Sequence, residues 1–94
     1  NFAVLVSILH KWGERLYKLG YIKEAEAVLE TAVECKTDAR NTYELLASIY
    51  VEQGDPEKID QLLNALASIN IRDKNNLILN LQNMKNNISN TKKV

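Results

Sequence analysis

Apolar residues recur along this chain at steps of three and four, the spacing that keeps side chains on one face of an α-helix. Leu9, Trp12, Leu16 and Leu19 form the first such stripe, and Ile22, Ala25, Leu29 and Ala32 the second. Tyr43, Leu46, Ala47 and Tyr50 follow, then Ile59, Leu62, Leu63 and Leu66, and last Leu77, Leu81, Met84 and Ile88. The pattern predicts five helices, at about 2–19, 22–35, 39–53, 56–69 and 74–89. Gly20 and Gly54 stand where the first and third helices should end, the position at which the backbone often turns left-handed. Asp55, Pro56 and Glu57 read as an N-cap, a first-turn proline and a favourable charge at a helix start. Thr37 or Asp38 is the expected cap of the third helix, and residues 90–94 are expected to be disordered.

Gly20 and Gly54 lie thirty-four residues apart, and other residues fall into the same register. Leu9, Trp12, Gly13 and Leu16 match Tyr43, Leu46, Ala47 and Tyr50. Downstream, Ile22, Ala25, Leu29 and Ala32 match Pro56, Ile59, Leu63 and Leu66. Only Ile22 with Pro56 differs in kind; the other pairs are apolar with apolar or small with small. Gly13 and Ala47 share a position where a missing or minimal side chain lets a second helix approach closely, although glycine inside a helix costs about 1 kcal/mol.

With those residues in place, the chain resembles the tetratricopeptide repeat, whose signature runs large apolar, Leu-Gly, Tyr, Ala, Phe and Pro at set spacings. Two repeats are covered, about 6–39 and 40–73, followed by a capping helix at about 74–89, all within one domain over 1–89. The sequence departs from the signature in three places: tryptophan and leucine exchange order at Leu9 and Trp12, Ile59 stands for a small residue, and Thr37 replaces the closing proline. The resemblance implies an all-α fold, a right-handed α-solenoid of antiparallel helix pairs. It also implies a peptide-binding groove on the concave face, lined by the first helix of each pair. The residues placed there are Ser7, His10, Glu14, Tyr17 and Lys18 of the first helix and Asn41, Glu44, Leu45, Ser48, Val51 and Glu52 of the third. Three glutamates favour a basic or amide-rich segment. Some members of the family grip a carboxylate with a clamp of cations and asparagine, but the matching positions are His10, Glu14, Leu45, Asn75 and Leu79, which lack the lysine and arginine such a clamp uses.

Charge and composition change this picture little. Hydrophobic residues make up 46% and charged residues 26% of ninety-four, within the globular range, and net charge is zero. Residues 71–94 carry five cations against Asp73 alone, which is +4 and leaves −4 for residues 1–70. Nucleic acid is therefore not the expected partner, since phosphate binding needs clustered Lys and Arg. Cys35 is the one cysteine, so no internal disulfide forms, and a reducing, cytoplasmic setting is expected. His10 and Glu14 share a helix face, but two ligands make a poor metal site. Glu24, Glu26, Glu30 and Glu34 read as a solvated face, and Trp12 as core. No nucleophile–base pair, phosphate loop or carboxylate cleft is legible, so neither an enzyme nor a cofactor is expected.

The expected function is a protein-interaction scaffold. The alternatives are a peptide-sensing regulatory module attached to an output domain and an anchor-tethered assembly factor. The first residue is Asn1, which suggests a piece of a longer protein. No apolar run reaches the ~20 residues of a membrane span. Phe2, Val4, Leu5, Val6 and Ile8 exceed what the first core stripe needs, so self-association through Phe2, Val4, Leu5 and Ile8 is expected.

Overall fold

A computed structural model describes the backbone of residues 2–92 and the side chains of residues 4–88. It is all-α, with helices α1 (Phe2–Lys18), α2 (Ile22–Glu34), α3 (Arg40–Gln53), α4 (Pro56–Leu66) and α5 (Lys74–Lys92). The helix starts and stops follow the local chemistry. Gly20 and Gly54 adopt φ of 92° and 68° where α1 and α3 end. Asp55 caps α4 by accepting a 3.3 Å hydrogen bond from the Lys58 amide, with Pro56 in the first turn. Neither Thr37 nor Asp38 caps α3; its N-cap is Ala39, which makes no side-chain cap. Thr37 is instead buried: its hydroxyl accepts from the Ala39 amide and its carbonyl accepts the Tyr43 hydroxyl at 2.7 Å. The expected end of α5 near 89 is also corrected, since helical backbone continues to Lys92; of the tail expected to be disordered, 93–94 lie outside the described residues.

Side-chain links fix how the helices run. His10 meets Thr42 and Tyr17 meets Glu52, so α1 and α3 are parallel. Glu26 reaches Lys58 between α2 and α4, and Arg40 reaches Asn76 between α3 and α5. Those partners are 32, 35, 32 and 36 residues apart, straddling the sequence period. Sequential neighbours are antiparallel, as Glu26–Gln53 with Glu30–Tyr50 shows for α2 and α3. The molecule is a flat slab of 47 × 30 × 16 Å.

The core joins Ala25, Leu29, Tyr43, Leu46, Ala47, Tyr50, Ile59 and Leu66 to Leu77, Leu81 and Ile88. Ala32 is fully buried as well. Leu63 is only half-buried at the core's edge, and Leu62 takes the deeper place in α4. The expectation for α1 is corrected. Trp12 is 54% exposed, Leu19 is exposed, and Leu9 and Leu16 are half-buried. The buried line is Val6 and Gly13, two turns apart, because α2 approaches over Gly13. Trp12 is one residue, about 100°, away from that line and swings outward. Glu26 corrects the reading of a solvated acidic face: it is buried, held by Lys58 and Gln53.

Candidate functional site

The residues expected on the concave face fall into two groups. Toward the end where α1 stops, the Tyr17 hydroxyl donates to Glu52 Oε1 at 2.7 Å, and Lys18 lies 4.0 Å from Glu14. The hydrogen bond to Glu52, then burial, raises the Tyr17 pKa above its ordinary value. Glu44 is paired with Arg40 Nε at 3.3 Å, and the Ser48 hydroxyl donates back to the Glu44 carbonyl. Leu45 packs on the core edge. The glutamates expected to attract a basic peptide thus already face cations or donors of this chain.

The second group opens into a cavity of about 610 Å³ at the end where α1 begins. Val6, Ser7, His10 and Lys11 of α1 form one wall. Lys36, Thr37, Asp38 and Ala39 of the α2–α3 loop, with Asn41, form another, and Ser68, Ile69 and Asn70 after α4 close the base. Of the expected groove residues, Ser7, His10 and Asn41 line it. His10 is oriented by a 2.9 Å hydrogen bond between its Nδ1 and the buried Thr42 hydroxyl. Val6 and Ile69 are its buried apolar residues, and the polar lining is hydroxyl, amide, imidazole, two ammonium groups and the Asp38 carboxylate.

Lys36 is the residue sequence reasoning missed. Its φ is 61°, the left-handed region, and its amide donates to the Val33 carbonyl to close α2. A side chain costs about 1–2 kcal/mol there relative to the helical region, and glycine is the usual occupant, as at Gly20 and Gly54. The sequence carries no glycine or asparagine at this turn to mark it. The other loop residues were missed because a cavity assembled from three separated segments has no spacing to read.

Among the described residues, no group of three His, Cys, Asp or Glu is placed to hold a metal ion, and no helix is long and apolar enough to cross a membrane. Cys35 is a half-buried free thiol. Comparisons with protein-family models, curated proteins and solved structures give no match.

Proposed function

We propose that this chain is a protein-interaction scaffold, two tetratricopeptide-like hairpins and a capping helix stacked as a short right-handed solenoid, which holds a partner's peptide segment in the cavity beside His10 and Asn41. The parallel links at about one repeat length support the stacking. The observation that carries the binding reading is Lys36: a side chain kept in left-handed backbone at the rim of the cavity. Strain of this sort clusters at ligand-binding positions. Lys11 and Lys36 outnumber Asp38 around the opening, so the segment that fits carries an apolar side chain for Val6 and Ile69 and a carboxylate for the ammonium groups. This replaces the basic segment expected from the glutamates. A cytoplasmic setting suits a chain whose one cysteine is a free thiol.

The test separates stability from binding. Short peptides are selected against the wild-type protein from a random displayed library and titrated calorimetrically against Lys36→Gly and Asn41→Arg. Lys36→Gly should raise the unfolding midpoint, by about 1 kcal/mol of relieved strain, yet weaken the peptides about tenfold. Asn41→Arg, which fills the opening, should weaken them at least as much. Peptides that bind both variants like wild type, or a library that yields no binder, would defeat the proposal.

A further inference from the structure

The face of the first hairpin that points away from the second is dressed for burial. Three pairs in the thirty-four-residue register show it. Ile8 and Trp12 are 55% and 54% exposed, whereas their counterparts Thr42 and Leu46 are 0% and 1% exposed. Val28 is half-buried and its counterpart Leu62 is buried. The counterparts face the first hairpin: Thr42 meets His10, and Leu46 and Leu62 line one pocket together with Glu30 and Val33 of α2. The same helix positions are thus packed in one hairpin and open in the other. Val4 and Leu5 extend the open patch along α1.

We infer that a second copy of this chain covers the open face, as a closed two-fold dimer in which α1 of each copy lies over α2 of the other. Charge and polarity choose this occupant. Arg15 in α1 and Glu24 in α2 are exposed beside the patch, and neither belongs to an ion pair among the described residues. Gly13 opposite Leu29 sets the heights of the two helices, and it places Arg15 and Glu24 about three residues apart along the axis. A two-fold axis parallel to the helices therefore brings Arg15 of each copy within reach of Glu24 of the other, twice over, and sets Trp12 on Val28. The opposite end of the slab offers no such match: α5 exposes Asn75, Asn76, Gln82, Asn83 and Asn86, with Leu79 its one large exposed apolar residue among those described. Head-to-tail stacking would bury that polar surface against the apolar patch. The dimer face shares no residue with the cavity lining.

Trp12 is the sole tryptophan and reports on its own burial. With rising protein concentration, sedimentation should pass from monomer to dimer while Trp12 emission moves to the blue. Ile8→Glu should raise the dissociation constant at least tenfold and leave the emission red at every concentration, with helical circular dichroism unchanged because Ile8 is exposed. Arg15→Glu should weaken the dimer roughly tenfold, equivalent to about 1.4 kcal/mol, and adding Glu24→Arg should restore it. A folded protein that stays monomeric at every concentration, a dimer indifferent to Ile8→Glu, or an open-ended series of oligomers would each overturn the inference; a charge swap that fails to restore association would overturn the pairing of α1 with α2.

Discussion

At Gly13 the first hairpin closes as tightly as its backbone permits. A Cβ built there would lie 2.7 Å from both Cγ and Cδ2 of Leu29, a side chain with no exposed surface to retreat into. Alanine would gain about 1 kcal/mol of helix propensity, but overpacking a buried branch point costs about 1–3 kcal/mol. The contact should win: Gly13→Ala lowers the denaturant midpoint, and Gly13→Leu lowers it severely. A Gly13→Ala protein more stable than wild type would show that Leu29 can rotate away. This close approach was readable in advance, since a glycine inside a helical stripe has few other uses. Its neighbour Trp12 was not readable. A large apolar residue at helical spacing looks the same in sequence whether its face meets the core or a partner, and only the position of α2 over Gly13 turns Trp12 outward.

Helix α5 shows how an element can owe its existence to docking. Asn75, Asn76, Asn80, Asn83, Asn86 and Asn87 are weak helix formers, yet Lys74–Lys92 is one continuous helix. Leu77, Leu81 and Ile88 insert into the core, and Lys85 Nζ binds Asp60 Oδ1 of α4 at 2.7 Å. Leu81→Ala should therefore cost about 2–5 kcal/mol, while Asn83→Ala on the exposed side should gain about 0.5 kcal/mol. Chemical denaturation of the two variants checks this. Equal, small effects would mean that the helix stands on propensity after all. The stripe that docks α5 was visible as a four–three–four spacing; that the helix outruns it to Lys92 was not, because its last turn lacks a sequence stop signal such as glycine or proline.

Across the whole molecule, polar side chains tie one hairpin to the next. Tyr50 donates to Glu30 Oε2 at 2.6 Å, and burial followed by that bond pushes the phenol well above its ordinary range. Burial chiefly, with Asp38 nearby, pushes Tyr43 up to about 12. Glu26 is the hub, accepting from Lys58 Nζ at 2.7 Å and from Gln53 Nε2 at 2.6 Å. Burial alone would raise its pKa, but these bonds prevail and hold it below 4.5, while the bond to Glu26 lifts Lys58 above 10.5. The depressed carboxyl contributes stability in full above 4.5, and that contribution is lost as pH falls through the folded value. The raised ammonium contributes in full below 10.5, and that contribution fades as pH rises through its folded value. Lys58→Met should cost about 1–2 kcal/mol at neutral pH. It should also shrink this loss below 4.5, because burial is then opposed only by the bonds from Gln53 and Glu30. Identical acid profiles for mutant and wild type would deny the pair its role between the hairpins.

The helices, their order and most of their ends are local properties, and the sequence by itself determined them. Three-and-four spacing, Gly20, Gly54 and the Asp55–Pro56 start act over one turn and need no knowledge of the rest of the chain. Burial in the second hairpin was nearly as legible, since Tyr43, Leu46, Ala47 and Tyr50 are packed between helices on both sides and have no open face to choose. The tertiary structure alone decided the rest: which side of α1 meets α2, that Glu26 is a buried partner of Lys58, and that Lys36, His10, Asn41 and Ile69 converge on one cavity. Each depends on where a distant helix comes to rest. A helical stripe states that a face will be buried, and only the packing of its neighbours says against what.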